Sequence, residues 1–148
     1  LDASSESYPL HTFNLLNDGV MEKIAKAFKL QPSEIASATL DAGTVTADGF
    51  SGPAEGKVAV GLTNPDGKVS YAYSANGIGF WIAADGTASS WGDAPIYYEY
   101  DASGYGLTVG HNPGHSEKGK TYTIKPTMVY NKGGKLHKAV ITIKMKFA

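Results

Sequence analysis

The chain has 148 residues, the size of one domain with its own core, and it contains no cysteine. Disulfides, thiolate metal sites and a cysteine nucleophile are therefore excluded. Its 13 basic side chains nearly balance 14 acidic ones, which argues against nucleic acid as a partner, and no run reaches the roughly 18 apolar residues that a membrane-spanning helix needs.

The first predicted element is an edge strand near the start of the chain. Residues 1–7 have neither the basic nor the apolar segment of a signal peptide, so we expect them to form a linker. Residues 8–15 alternate imperfectly between apolar and polar, and Pro9 cannot donate a hydrogen bond to a neighbouring strand. The sequence thus predicts a linker followed by a single domain over residues 8–148, with its first strand at a sheet edge.

A helix is predicted next, over residues 20–30. Its evidence is a stripe of apolar residues at the spacing of one helix face, namely Val20, Ile24, Ala27 and Phe28. Asn17 or Asp18 is suited to cap the start of this helix. A second short helix is expected to start at Pro32, because proline is favoured at the first helical position, and this gives a helical segment at about residues 18–39.

Short β-rich runs separated by glycine-containing turns follow from about residue 41, which is typical of a sandwich or a barrel. Four hairpins are predicted, and their strand pairs are residues 58–62 with 69–73, 78–82 with 87–91, 96–100 with 105–109, and 121–130 with 136–147. The strands of each pair flank turn residues, as in Asn64-Pro65-Asp66-Gly67, where proline presets φ and glycine accepts a positive φ.

The last hairpin shows the strongest alternation. Its second strand directs five apolar residues to one face, which are Ala139, Ile141, Ile143, Met145 and Phe147. In its first strand, we expect Tyr122, Ile124 and Met128 on the core face and Thr127 on the opposite face. The sequence therefore predicts a mostly β, β-dominated α+β fold: an antiparallel β-sandwich or open barrel with one or two short helices near the N-terminus.

The sequence carries no recognisable catalytic motif, and none of its four histidines lies in a nucleophile or zinc-binding motif. His111 and His115 flank a Pro-Gly loop instead of sharing a helix face, so we expect them to be solvated or to cap turns. Carboxylates for glycoside hydrolysis would have to come from Asp85, Asp93, Glu99 and Asp101, but a small domain of open sheets is a poor host for that chemistry. We therefore expect no catalytic residues, no metal site and no cofactor.

The richest candidate for a binding site is a run of aromatic residues in the second half of the chain. Aromatic rings stack on the apolar faces of sugars, and a nearby carboxylate or amide accepts hydrogen bonds from sugar hydroxyls. The predicted ligand-binding residues are Trp91, Asp93, Trp81, Tyr97 and Asn76. The alternative is that the two indoles pack in the core, because tryptophan is a normal core filler of β-sandwiches.

Several motifs in a fixed order resemble those of a known domain family. After the helix, they are Gly79-Phe80-Trp81-Ile82, Asp85-Gly86, Ser90-Trp91-Gly92-Asp93, Asn112-Pro113-Gly114 and Gly119-Lys120-Thr121-Tyr122. This order resembles an uncharacterised domain family of secreted and cell-surface proteins of Bacteroidetes bacteria, often found beside glycan-degrading modules. The resemblance implies a secreted, cell-surface or periplasmic location, and it supplies no catalytic residues.

Two hypotheses of function follow. The first is a non-catalytic accessory module that binds carbohydrate, so that its partner is a glycan. The second is a structural or protein-interaction module that docks a neighbouring protein domain through an exposed edge or apolar patch. The first hypothesis predicts that Trp81 or Trp91 is exposed beside Asp93, and it is wrong if both indoles are buried.

Overall fold

The fold is given by a computed structural model, which describes residues 1–15, 19–36, 45–46, 49–50, 52–71, 79–101 and 106–148. It is mostly β, with 44% strand and 10% helix, and its sheets are antiparallel and do not close into a barrel. The predicted fold class is therefore confirmed, including the two short helices near the N-terminus. No helix within these ranges is long and apolar enough to span a membrane.

The described part of the chain contains two helices and twelve short strands. The helices are α1 (Val20–Phe28) and α2 (Pro32–Ala36). The strands are β1 (Pro9–Asn14), β2 (Val45–Thr46), β3 (Gly49–Phe50), β4 (Val58–Thr63), β5 (Val69–Tyr71), β6 (Gly79–Ile82), β7 (Ile96–Tyr100), β8 (Gly106–His111), β9 (Thr121–Ile124), β10 (Pro126–Lys132), β11 (Lys135–Val140) and β12 (Ile143–Lys146). α2 begins at Pro32, as predicted, and residues 37–39 of the predicted helical segment lie outside the described ranges.

Two four-stranded antiparallel sheets form the layers of the domain. Sheet A has the strand order β1-β8-β7-β6, and sheet B has the order β11-β10-β4-β5. β9 pairs with β12, and β2 pairs with β3. β1 lies at an edge of sheet A, as its proline predicted. Because successive side chains of a strand point to opposite faces, each sheet can bury one face against the other sheet.

The core lies between the inner faces of the two sheets. Ile96, Tyr98 and Tyr100 of β7 are fully buried and belong to the same hydrophobic cluster as Leu62 of β4. The Tyr98 hydroxyl donates a hydrogen bond to the carbonyl oxygen of Gly61, also on β4. Tyr98 therefore joins the two sheets by a polar contact as well as by packing.

The predicted C-terminal hairpin is confirmed, but its strands are interrupted in the middle. β10 pairs with β11 and β9 pairs with β12, and the two ladders continue in one register. Between them, the amide of Ile141 still donates to the carbonyl of Pro126 at 2.8 Å. The interruption follows from Pro126, which has no N–H to donate, and from the Lys125 carbonyl, which accepts from the Thr63 amide of β4 at 3.0 Å.

β10 is buried on both faces, which corrects one prediction. Thr127, expected on the solvent face, is fully buried, and Val129 on the same side of the strand is buried too. The Thr127 hydroxyl lies 2.7 Å from Thr63 Oγ1 and donates to the Lys125 carbonyl at 3.0 Å. β10 lies inside sheet B between β11 and β4, and these hydrogen bonds allow a hydroxyl to be buried there.

One predicted hairpin forms only in part. β6 makes its ladder with β7, and it pairs with residues 87–91 only through the antiparallel bridge of Ile82 to Ala88. Two backbone hydrogen bonds of 2.8 Å flank this bridge, from the Ala83 amide to the Thr87 carbonyl and from the Ser89 amide to the Trp81 carbonyl. The ladder stops because residues 90–94 form a turn, in which the Ser90 carbonyl accepts two backbone hydrogen bonds. The hairpins β4–β5 and β7–β8 are antiparallel pairs, as predicted. The predicted strand ends at residues 72–73, 78 and 105 lie outside the described ranges.

α1 confirms the predicted helix and corrects its buried face. The N-cap residue is Gly19, whereas a cap was expected at Asn17 or Asp18, which lie outside the described ranges. Ala27, expected to be part of the apolar stripe, is exposed. The buried residues of the helix are Met21, Ile24, Ala25 and Phe28. The helix packs against β11, and its buried face is therefore rotated slightly about the helix axis from the predicted one.

Residues 1–7 lie against the folded domain. The Leu1 nitrogen donates to the Lys146 carbonyl at 2.8 Å, and the Ala148 amide donates to the Leu1 carbonyl at 2.8 Å. Ala3 is partly buried and packs against the core. The assignment of this segment as a linker and the domain boundary at residue 8 stay predictions.

The two core tyrosines give a test of how the layers are joined. Tyr98→Phe removes the hydroxyl that donates to Gly61, so we expect a loss of about 1 to 2 kcal/mol in the free energy of unfolding. The Tyr100 hydroxyl is buried without a hydrogen-bond partner among the described residues, so Tyr100→Phe should change that free energy by less than about 0.5 kcal/mol or raise it. Urea unfolding of both variants measures the difference, and equal losses would contradict the packing described above.

The same tyrosines predict sensitivity to alkaline pH. Burial raises the pKa of Tyr100 above its ordinary value of 10.0, so the folded state holds a proton that the unfolded chain releases. The free energy of unfolding should therefore be independent of this group below about pH 10 and fall above it, by up to about 1.4 kcal/mol per pH unit. Urea unfolding between about pH 8 and 11 should show that the free energy of unfolding falls less steeply with pH for Tyr100→Phe than for the original domain. The same slope for both proteins would show that Tyr100 ionises freely in the folded state.

Candidate functional site

Two of the predicted aromatic residues meet on the outer face of sheet A. Trp81 of β6 lies directly opposite Tyr97 of β7, and their ring centroids are 5.0 Å apart. Their orientation follows from the alternation of β7, because Ile96 and Tyr98 on either side of Tyr97 point into the core. Trp81 is half-buried, so part of its indole reaches solvent.

Tyr8, which the sequence did not single out, completes this cluster. Its ring meets Trp81 edge-on, with centroids 6.2 Å apart and an angle of 77° between the planes. Its carbonyl accepts a hydrogen bond from the amide of His111 at 3.0 Å, which holds the start of β1 beside the end of β8. Tyr8, Trp81 and Tyr97 are called the aromatic platform below.

Gly110 lets the Tyr97 ring lie close to the neighbouring strand. Gly110 of β8 is opposite Tyr97, and a methyl group at its position would overlap both the Tyr97 ring and the Tyr8 carbonyl. A residue without a side chain is therefore required at the base of the aromatic platform. This glycine has an ordinary backbone conformation, so the requirement comes from packing and not from φ.

A carboxylate lies beside the aromatic platform. Glu99 follows Tyr97 by two residues, so it projects from the same face of β7, and it is exposed. Burial raises the pKa of Tyr97 to about 12, and the negative charge of Glu99 adds to the rise. Tyr97 is only 9% exposed, and its hydroxyl stays protonated at neutral pH as a hydrogen-bond donor next to an acceptor.

Trp91 is the most exposed of the large apolar side chains described, at 58%. It lies on a turn of residues 90–94, called the Trp91 turn, in which the amides of Asp93 and Ala94 both donate to the Ser90 carbonyl, at 3.1 and 3.0 Å. The buried Asn112 side chain holds the turn in place, because its Nδ2 donates a hydrogen bond to the Trp91 carbonyl at 2.8 Å. The indole thus projects into solvent from an ordered backbone.

The structure separates the predicted binding residues into two neighbouring groups. Trp81 and Tyr97 belong to the aromatic platform, while Trp91 and the exposed Asp93 belong to the Trp91 turn. The turn leads directly into β7 and so lies at the end of sheet A near Tyr97. Asn76 lies outside the described ranges. The two indoles are not both buried, so the condition that would have refuted the carbohydrate hypothesis is not met.

His111 is buried, which corrects the expectation that it is solvated. Its ring stacks on Phe147 with centroids 5.7 Å apart, and its Nε2 lies 3.1 Å from the Ser5 carbonyl. Because a carbonyl only accepts, Nε2 carries the hydrogen, and the Ser116 hydroxyl, 2.6 Å from Nδ1, donates to the other nitrogen. His111 therefore anchors the N-terminal segment, and no group of three potential metal ligands occurs among the described residues.

Comparison with known proteins places the chain in a family. No curated protein and no solved structure matches it. A family model described as Domain of unknown function (DUF4859) matches residues 7–135, which is most of the chain. The chain belongs to the DUF4859 family. The DUF4859 match begins just before Tyr8 and contains the whole aromatic platform and the Trp91 turn, whereas β12 lies beyond its end.

Gly110→Ala tests how the aromatic platform is supported. The added methyl group must push the Tyr97 ring or the Tyr8 carbonyl away, so we expect a loss of about 1 to 3 kcal/mol in the free energy of unfolding and a change in the tyrosine ring resonances. Gly92→Ala in the Trp91 turn is the matched control, since no atom lies within 4 Å of the position that its methyl group would take, and the substitution should be nearly neutral. A neutral Gly110→Ala would contradict the close contact of Tyr97 with β8.

Proposed function

We propose that this DUF4859 domain is a non-catalytic module that binds carbohydrate through the aromatic platform and the Trp91 turn. The observation that carries the proposal is the 58% exposure of Trp91 on a turn whose backbone is fixed by hydrogen bonds. A large apolar ring held in solvent contributes little to folding, whereas it is well suited to stack on a sugar ring. An ordered turn also lowers the entropy lost when a ligand binds.

Polar groups near the rings support a sugar as the ligand. Asp93 is exposed on the Trp91 turn, and Glu99 is exposed beside Tyr97. Carboxylates accept hydrogen bonds from sugar hydroxyls, and the Tyr97 hydroxyl can donate one to a sugar oxygen. The surface therefore combines apolar rings with acceptors and a donor, which is the combination that sugar recognition requires.

The proposal extends to where the protein works. The resemblance to domains of Bacteroidetes surface proteins supports a secreted, cell-surface or periplasmic accessory module, carried beside glycan-degrading modules. In that setting the module would hold a polysaccharide near a catalytic domain, and it would need no catalytic residues of its own. The glycan is then the partner, and the neighbouring enzyme supplies the chemistry.

A second candidate function is a protein-interaction module. The observation that favours it is on β11, an edge strand of sheet B, where Leu136 and Val140 are 38% and 43% exposed. Exposed apolar side chains on a sheet edge offer a place for a neighbouring domain to dock. This surface is on the other sheet from the aromatic platform, so variants can test the two candidates separately.

Carbohydrate binding can be tested by screening the domain on a glycan array and titrating the best glycan by isothermal calorimetry. Trp91→Ala should weaken binding by about tenfold or more, equivalent to about 1.4 kcal/mol, because stacking on the indole is lost. Asp93→Ala should weaken binding as well. Val140→Ala, which shortens an exposed apolar side chain on the other sheet, is the control and should bind as the unmodified domain does.

The melting temperature distinguishes loss of the site from loss of the fold. Trp91 is largely exposed, so Trp91→Ala should leave the melting temperature within a few degrees of the original value. Absence of binding to every glycan on the array would refute the proposal. So would a glycan affinity that Trp91→Ala and Asp93→Ala leave unchanged.

A further inference from the structure

A groove with an apolar floor lies on the core side of the fold, away from the aromatic platform. It consists of two adjoining cavities of about 320 and 350 Å³, which share Val20, Ile141 and Thr142. Leu107 of β8 lines the first cavity from the inner face of sheet A, whereas Tyr97 lies on the outer face. We call these two cavities together the basic groove, for the lysines described below.

Three elements meet at the groove: an edge strand, the start of a helix and an interrupted strand. β1 is the edge strand of sheet A, and Phe13 on it is only partly covered. The strand of the C-terminal hairpin is interrupted at residues 141–142, and Ile141 and Ile143 are only partly buried against the core. Val20 begins α1 and lies over the gap. Apolar surface is thereby left accessible where a regular sandwich would be closed.

Among the described residues that line the two cavities, the charged ones are all lysines. Lys144 lines the first cavity, and Lys23 and Lys138 line the second, with no acidic residue among the described residues that line either one. All three are exposed. Within the described ranges, none of them takes part in a salt bridge. Since no carboxylate among the described residues forms an ion pair with these lysines, their charges are available to an anion.

We propose that the basic groove binds a long-chain fatty-acid anion, with its hydrocarbon chain on the Val20–Ile141–Ile143 floor and its carboxylate at the lysines that line the groove. The cavity volumes lie at the lower end of the range of about 300 to 1,000 Å³ that small-molecule pockets span. The complementarity is twofold, since an apolar chain requires an apolar floor and a carboxylate requires unpaired cations. This inference is independent of carbohydrate binding at the aromatic platform.

Calorimetric titration with dodecanoate, kept below the concentration at which it aggregates, tests the proposal. We expect a single site in the intact domain and weaker binding of dodecanol, which has the same chain without the charge. The double variant Lys138→Glu, Lys144→Glu should bind dodecanoate at least about tenfold more weakly. Lys146→Glu is the matched control and should bind normally, because Lys146 is exposed on the same face of β12 but does not line the groove.

The position of the ligand can be measured by NMR of the isoleucine methyl groups. Dodecanoate should shift the methyl resonances of Ile141 and Ile143 and leave those of Ile96, which is buried in the core away from the groove lining, nearly unchanged. This measurement does not depend on the folding of any variant. It also separates a defined site from loose association with the lysine-rich surface.

Several results would overturn the proposal. One is the absence of dodecanoate binding. Another is that Lys146→Glu weakens dodecanoate binding as much as the double variant does. A third is that dodecanoate leaves the methyl resonances of Ile141 and Ile143 unchanged. Dodecylammonium binding as tightly as dodecanoate would exclude recognition of an anion. Sedimentation could instead reveal a concentration-dependent dimer that the double variant weakens and that dodecanoate does not affect. That result would show that a second copy of the chain covers the groove.

Discussion

The alternation of side chains along β7 is the constraint on which the rest of the structure depends. Ile96, Tyr98 and Tyr100 fill the space between the two sheets, and the Tyr98 hydroxyl reaches Gly61 on the opposite layer. Since a strand has a period of two, burying these three residues forces Tyr97 and Glu99 onto the outer face. The packing of the core and the composition of the candidate binding surface are thus two consequences of one short sequence.

Local pattern was sufficient to predict most of the fold. Alternation and turn residues correctly indicated the edge strand β1, the hairpins β4–β5 and β7–β8, and the C-terminal hairpin, because each depends on residues close in sequence. The errors concern contacts that sequence pattern does not encode. β6 makes its ladder with β7 and only a single bridge with the segment that follows its turn. Thr127 is buried because β10 is an interior strand, and the Thr127 hydroxyl finds partners in Thr63 and Lys125.

The candidate site was likewise predicted only as far as it depends on local sequence. Composition identified Trp81, Trp91 and Tyr97 as the notable rings, yet only the sheet register shows that Trp81 faces Tyr97 on the outer surface and that Trp91 stands apart on its own turn. Tyr8 and Gly110 were missed because their role arises from the pairing of β1 with β8, about 100 residues apart in the chain. The basic groove was missed for a similar reason, since Val20 and Ile141 come together only in three dimensions.

The most direct test of the alternation along β7 is the solvent exposure of the aromatic rings, measured by NMR as the relaxation enhancement that a soluble paramagnetic probe produces. We predict a strong effect on the Trp91 ring, an intermediate effect on Trp81 and Tyr8, and almost none on Tyr98 and Tyr100. A Tyr98 ring as accessible to the probe as Tyr8 would contradict the alternation of β7, and a protected Trp91 would remove the exposed indole on which the proposed binding surface depends.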